Sequence, residues 1–428
     1  MSFIADFHIH SHYSRATSPK LTAPGLHKWG QIKGIKVMGT GDFTHPSWFT
    51  ELQDNLEPAE PGLFKLNNKI IQEVQPEVPQ SCHGEMRYLL SVEISSIYSK
   101  NGRVRKIHSI ICSPTFQAAA KINHALDKIG NIKHDGRPIL GIDAKELLKI
   151  VMDASPDCMF IPAHVWTPHF ALFGSNSGFD SIEECFEEMT EYITALETGL
   201  SSDPAMNYLW SDLDRFTLVS NSDAHSPMKL GREANRLACD LNYFDIKETI
   251  KSGNPEKFLE TIEFYPEEGK YHCDGHRNCK VSMTPEETAE ANGICPKCER
   301  KVTVGVLNRV MSLADRKDPE QRSNRIPYRY LVPLNEILSN LLQVGPNSKT
   351  VMTQYWKLIS ALGNEFHILL DAPLSEIEKI GGPQIALAID KVRRGDIYIK
   401  PGYDGEYGVV QVFSPEELEV DDKQTALF

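Results

Sequence analysis

Residues 3 to 12 read Phe3-Ile4-Ala5-Asp6-Phe7-His8-Ile9-His10-Ser11-His12. The apolar run predicts a buried strand, and where it ends His8 and His10 stand two residues apart, on the same side of an extended backbone. That spacing offers two imidazoles to one metal ion. A pair of histidines is weak on its own, because a satisfied core or surface histidine is the commoner explanation.

The same pattern then recurs up to about residue 250. Ile35 to Gly39 leads into Asp42 and His45, Tyr88 to Val92 into Glu93, Ile107 into His108, and Met159 to Ala163 into His164. Ile193 to Leu196 precedes Glu197, and Phe216 to Val219 precedes Asp223 and His225. Strands alternating with amphipathic segments predict a mainly parallel sheet, and ligand-type residues at strand ends predict an α/β barrel-like enzyme with one pocket. Taken singly, Glu93 and Asp223 read equally well as helix caps, and His108 and His164 as core histidines. Recurrence in register favours the pocket.

Histidine and carboxylate donors without cysteine suit zinc, manganese or iron. The set His8, His10, Asp42, Glu93, His108, His164, Asp223 and His225 is too large for one tetrahedral ion, which predicts two or three ions. Such a cluster activates water and stabilises attacking and leaving oxygens in phosphoester hydrolysis, with His8, His10, Asp223 and His225 as the catalytic core.

Composition sets the frame. A chain of 428 residues with 41% hydrophobic and 24% charged residues has material for about three soluble domains. No run of eighteen apolar residues and no basic leader occur, so a cytoplasmic protein without membrane contact is expected. Nine cysteines without a secretion signal read as thiols and metal ligands. A net charge of -13 rules out a generally basic coat, so any nucleic-acid contact must use a local positive patch.

Beyond the first 250 residues the composition changes. Residues 251–315 carry Cys273, His276 and Cys279, then Cys295-Pro-Lys-Cys298. This predicts a structural zinc module held by Cys279, Cys295 and Cys298, with His276 preferred as fourth ligand and Cys273 as the alternative. Residues 316–412 read as helical. Within them Ile377-Glu-Lys-Ile380-Gly381-Gly382-Pro-Gln-Ile385 resembles a helix-hairpin-helix, in which glycines let backbone N–H groups approach a DNA phosphate. Lys391, Arg393 and Arg394 follow as candidate DNA contacts, although a plain helix turn looks similar. Residues 413–428 form an acidic tail ending Gln424-Thr-Ala-Leu427-Phe428, which resembles the Gln-x-x-Leu-Phe peptide by which bacterial repair and replication proteins bind the β sliding clamp.

The segments His8-Ile-His10, Thr40-Gly-Asp42, Val92-Glu93-Ile, Lys106-Ile-His108, Pro162-Ala-His164 and Ser222-Asp223-Ala-His225 resemble the successive motifs of the polymerase and histidinol phosphatase superfamily. That resemblance implies a distorted seven-stranded β/α barrel hydrolysing phosphoesters at a multinuclear metal site, with zinc, or else magnesium or manganese, as the active-site metal. Two departures stand out: Asp42 replaces a common histidine, and Ser14-Arg15-Ala16 stands where many members have a further ligand. Arg15 is thereby a candidate phosphate contact.

The order of barrel, zinc module, hairpin segment and clamp-like tail resembles the endonuclease Q family over nearly the whole length. Gly174-Ser-Asn-Ser-Gly178-Phe-Asp180, Gly231-Arg232-Glu233-Ala-Asn235 and Pro401-Gly-Tyr-Asp-Gly405 add to the match. The resemblance implies a DNA repair endonuclease cutting 5′ to deoxyuridine, deoxyinosine or abasic sites in damaged double- or single-stranded DNA. Lesion reading is expected from the loops His45 to Trp48 and Trp166 to Asn176, whose aromatics suit stacking on bases. The competing readings are a small-molecule phosphoesterase and a non-catalytic metal-stabilised DNA-binding module. No Gly-x-x-x-x-Gly-Lys-Ser/Thr loop is present, so ATP hydrolysis by that route is excluded.

Overall fold

The opening apolar run forms strand β1, Phe3–Asp6, which is buried from Ile4 onward. In the computed structural model, which describes residues 2–323 and 325–417, β1 lies parallel to β2, Ile35–Gly39, and β2 parallel to β3, Arg87–Lys100. Asn101 and Gly102, both at positive φ, then turn the chain into β4, Arg103–Ser113. A two-residue Asn-Gly turn of this kind matches the twist of two long antiparallel strands. The sheet is therefore mixed: β3 and β4 are antiparallel, as are β4 and β5, Met159–Pro162.

Strand β6, Ala195–Glu197, and strand β7, Thr217–Val219, pair in parallel as a separate ribbon. Single contacts tie this ribbon to its neighbours: Val165 N–H donates to the Glu197 carbonyl at 3.0 Å, and one parallel bridge joins Ile9 to Ala224. On the other side of β1 the sheet continues through β8, Ala234–Leu237, and β9, Phe258–Glu263. Among the described residues the connected sheet counts eleven strands, the β6–β7 ribbon standing outside it.

Beyond β9 the chain leaves the sheet for a small hairpin, β10, Asp274–His276, with β11, Val281–Met283, and then returns as β12, Tyr328–Tyr330, parallel to β9. Two stretches assigned from composition to the zinc module and the helical region thus complete the main sheet. Among the described residues four α-helices follow, α1 Leu334–Leu342, α2 Lys349–Leu362, α3 Leu374–Gly381 and α4 Pro383–Arg394, with a π-helical turn His367–Asp371 between α2 and α3. They are bound to the sheet domain by a buried ion pair, Lys33 Nζ to Glu365 Oε2 at 2.7 Å, and Glu365 also accepts from Leu334 N–H and Tyr355 O–H. An uncompensated Glu365 would be expensive at that depth, so the contact fixes the helices against the sheet. Among the described residues no helix is long and apolar enough to cross a membrane.

A carboxylate pair lies buried behind the strand ends. Glu263 accepts from Thr198 and Ser220 hydroxyls at 3.1 and 3.2 Å, Glu233 accepts from Phe264 N–H, and each keeps one oxygen without a partner. Burial, reinforced by the mutual repulsion of the two groups at Glu233, raises both, Glu263 to about 8. A carboxyl whose folded-state pKa exceeds its unfolded value near ~4.3 binds more protons when folded, so its stabilisation is complete below about pH 4 and is lost as pH rises through the folded value. The expected result in urea unfolding is a loss of stability from pH 5 to 9 that is shallower in Glu263→Gln, each titrated unit being worth up to ~1.4 kcal/mol. Parallel pH profiles would remove Glu263 as the source.

Candidate metal centre

His8 and His10 follow β1 and point into one pocket, each ring held from behind by a carboxylate. His8 Nδ1 lies 3.0 Å from Glu197 Oε1, and His10 Nδ1 lies 3.1 Å from Asp42 Oδ1. A carboxylate on one ring nitrogen fixes the tautomer and aims the other nitrogen at a metal. Both Nε2 atoms face Glu93 and Asp223: His10 Nε2 is 3.0 Å from Asp223 Oδ1 and 3.4 Å from Glu93 Oε2, and His8 Nε2 is 3.5 Å from Glu93 Oε2. His8 Nε2 is buried without a hydrogen-bond partner. An orphaned buried nitrogen among carboxylates is what a ligand awaiting a cation looks like.

A second group adjoins the first. Glu93 Oε1 stands 3.0 Å from His164 Nε2, whose neighbour His108 Nδ1 is 3.2 Å away. Ligand atoms of His8, His10, Glu93 and Asp223 fall within 4.8 Å of one another, as do those of Glu93, His108 and His164. Glu93 belongs to both groups. It can be shared because β3 and β4 pair Glu93 with Ile110, which puts His108, two residues away along β4, on the same face. Glu93 and His108 are accordingly mid-strand residues rather than strand-end ones.

Three of these positions are strained. Asp42, His164 and Asp223 take φ values of 54°, 30° and 45°, a region non-glycine residues avoid and which functional sites tolerate. Electrostatics follow the same convergence. Against the cost of burial, Glu197, Glu93 and Asp223 hold His8 well above the usual imidazole range, and Asp223 and Asp42 do the same for His10. A cation bound here would displace those protons, so its affinity would fall in acid.

Two predicted ligands stand apart. Asp42 touches only the rear nitrogen of His10, and its other oxygen is filled by Ser11 N–H at 2.6 Å and the Ser11 and Ser14 hydroxyls at 2.7 and 2.8 Å. It stands behind His10, outside the group of converging ligand-type atoms. His225 packs its ring 4.5 Å from that of His10 and uses Nδ1 on the Asp223 carbonyl at 2.9 Å, which leaves Nε2 at the pocket's edge. Arg15 reaches out to His134 and Asp135 with its side chain 64% exposed. Trp48 and Trp166, expected at the surface to stack on bases, are fully buried: their N–H groups donate to backbone carbonyls at Thr40 and Gly41 and to Asn207. Phe170, in the expected Trp166–Asn176 loop, is half-buried and packs 4.8 Å from His108, and half-buried Tyr13 stacks 4.3 Å from His45, which opens the other expected loop.

Two residues of the site stand outside the ligand set predicted from sequence. Glu197 ended a predicted strand, but its role depends on a partner 189 positions away. Arg137, in a stretch without pattern, donates to Glu93 Oε2 at 3.1 Å, and Glu93 holds the guanidinium charged despite partial burial.

In the small hairpin module, His276, Cys279, Cys295 and Cys298 gather their ligand atoms within 4.8 Å, with Cys298 Sγ 3.3 Å from His276 Nδ1. Cys273 is buried apart from them, its thiol pushed up by burial to about 11. Backbone N–H groups of Lys297 and Cys298 outweigh burial at Cys295 and bring it down to about 7, toward the thiolate a metal needs. At the helical hairpin, Gly382 sits at φ 90° between α3 and α4. Lys391 and Arg393 are not free to meet DNA: Lys391 is buried against Glu417 and Asp396, and Arg393 donates to the carbonyls of Ile368, Leu369 and Ala372. Arg394 is exposed, beside Asp390. Gln424, Leu427 and Phe428 lie outside the described residues.

Comparison with known proteins places this architecture. Residues 333–396 match the family model of the MJ0043 C-terminal domain. The chain is 36% identical over 262 residues to the uncharacterised protein MJ0043 of Methanocaldococcus jannaschii, covering 59% of this chain and 32% of that longer one. It is 31% identical over 89% of both chains to the uncharacterised protein YqxK of Bacillus subtilis. The crystal structure of endonuclease Q in complex with a 27-mer duplex carrying an abasic lesion superposes with a TM-score of 0.81 at 30% identity, covering 98% of each chain. The chain belongs to the endonuclease Q family. The lesion-specific endonuclease PfuEndoQ of Pyrococcus furiosus matches equally well, with a TM-score of 0.82, 29% identity and coverage of 98% of this chain and 99% of that one. An endonuclease Q fold therefore carries both the pocket and the Cys/His module.

Proposed function

We propose that this chain is a metal-dependent DNA repair endonuclease that hydrolyses the phosphodiester bond 5′ to deoxyuridine, deoxyinosine or an abasic site, leaving a 3′-hydroxyl and a 5′-phosphate. The observation that carries the reading is the pair of ligand groups meeting at Glu93, in a family whose members include a lesion-specific endonuclease and a complex with abasic duplex. Strands β1 to β7 act as a distorted seven-stave barrel, closed by the single contacts on either side of the β6–β7 ribbon.

The donor set fits divalent cations: imidazole and carboxylate suit zinc, with magnesium or manganese as alternatives at this site and zinc at the Cys/His module. Bound there, such ions supply a water of low pKa and positive charge for the phosphate oxygens. His8, His10, Glu93, His108, His164 and Asp223 hold them, with His225 at the open edge. Glu197 and Asp42 keep the two leading imidazoles aimed, and their buried carboxylates prevent those rings from turning. Tyr13 and Phe170 at the rim provide flat faces for bases beside an extruded nucleotide. The turn at Gly381 and Gly382, together with Arg394, grips the backbone farther off, and Gln424, Leu427 and Phe428 dock on a β sliding clamp in the cytoplasm.

The test is cleavage of end-labelled duplexes carrying one deoxyuridine, deoxyinosine or abasic site, with undamaged duplex and a small phosphomonoester as controls, before and after metal removal. A metal-dependent nick 5′ to the lesion is expected. Hydrolysis of the small ester with every duplex intact would replace this reading with a phosphatase.

A further inference from the structure

We infer that Arg137 is a substrate-binding residue of the hydrolytic site, its guanidinium gripping a non-bridging oxygen of the scissile phosphate. The inference rests on the endonuclease reading above. Arg137 Nη1 lies 3.1 Å from Glu93 Oε2, the carboxylate common to both ligand groups. Glu93 is fully enclosed, whereas the Arg137 side chain is 30% exposed, so the guanidinium spans the boundary between cluster and solvent.

The other cations nearby have different employment. Arg232 donates to the carbonyls of Ser222 and Asp223, Lys106 lies over the Phe170 ring, and Arg15 leans away toward Asp135. Among the described residues Arg137 makes one side-chain hydrogen bond, leaving most of its five N–H donors available. A planar fork with donors to spare suits two phosphate oxygens at once, and it answers the charge that grows there as the bond breaks.

The chain is built to hold that fork in place. Asp135 Oδ1 accepts from the backbone N–H groups of Arg15 and Arg137, both at 3.2 Å, and Gly136 N–H donates to the Tyr13 carbonyl at 3.1 Å. Pro138 closes the strap by accepting from Ser95 N–H at 3.0 Å. Gly136 rests directly on Asp42 and Ser14, where a Cβ would collide with the side chains of both. The strap is thus registered on the residue that orients His10, which couples the position of Arg137 to the ligand set.

The full-length protein is assayed in single-turnover nicking of an abasic duplex, with metal content measured on each preparation. Arg137→Ala should cut about 10²-fold more slowly, as for loss of one donor to developing charge, with metal content and duplex affinity within about threefold of wild type. Arg137→Lys should recover part of the rate, and added guanidinium should speed Arg137→Ala but not wild type. A wild type that leaves the duplex intact overturns the endonuclease reading and this inference with it. A wild type that nicks beside an equally fast Arg137→Ala, or a slow variant whose loss of metal accounts for its whole defect, overturns the inference alone.

Discussion

Asp223→Ala should lower lesion nicking by at least ~10³-fold, about 4 kcal/mol in the barrier, while leaving affinity for the damaged duplex largely intact. Asp223 Oδ1 stands 3.0 Å from His10 Nε2 and 3.7 Å from His8 Nε2, so its loss opens the first ligand group at its centre. A His8→Ala, His10→Ala double change should do the same from the other side. Because Asp223 sits at φ 45°, alanine adds backbone strain of about 1 kcal/mol or more, which asparagine largely avoids. Asp223→Asn therefore separates chemistry from folding: both variants should be dead, and only alanine should melt lower. By contrast, Glu197→Gln and Asp42→Asn alter the rear nitrogens of His8 and His10, and changes of that kind cost roughly 10–100-fold. Loss of binding and cleavage in parallel would instead indicate collapse of the scaffold.

That contrast also marks what could be read from sequence. A strand followed by His8 and His10 is a local pattern, and the structure keeps it. Whether a carboxylate faces the front or the rear nitrogen of a histidine is set by three-dimensional approach. Asp42, 32 positions from His10, therefore looked like a ligand, and it lies against the rear nitrogen of His10 instead. Glu197 follows an apolar run as the other ligand-type residues do, but its partner His8 lies 189 positions away, and nothing in the surroundings of Arg137 marks it. Charge was equally ambiguous: Lys391 and Arg393 occupy the last turn of α4, where helix carbonyls and acidic neighbours compete with any nucleic acid for their donors. The tryptophans failed for the opposite reason, since a large apolar ring is favoured inside when its N–H has a partner. Likewise β9 and β12 pair across more than sixty residues, a register that composition windows do not reveal.

Removing the ligands of the Cys/His module should unfold that module while sparing the pocket's ligand set. Its own hydrophobic core is Val281, Met283, Cys295 and Val302, and its two strands are three residues long. A core so small does not close on its own, and the binding free energy of a structural zinc, about 10 kcal/mol or more in small peptides, stands in for it. Cys295→Ser with Cys298→Ser should therefore release one equivalent of metal and open residues 271–305 to limited proteolysis. Activity should fall too, but less than in Asp223→Ala. The route is physical: Gly305 N–H and Asn308 hold Asp274 of the module, and Arg309, on the helix Val306–Leu313 that carries Asn308, donates to the carbonyls of Phe173 and Phe179, in the loop that follows His164. Loosening that chain lets the His108 and His164 side of the pocket drift without deleting a ligand. An unchanged protease pattern after loss of the metal would mean that packing alone sustains the module, and the two metal groups would then be independent rather than linked through Arg309.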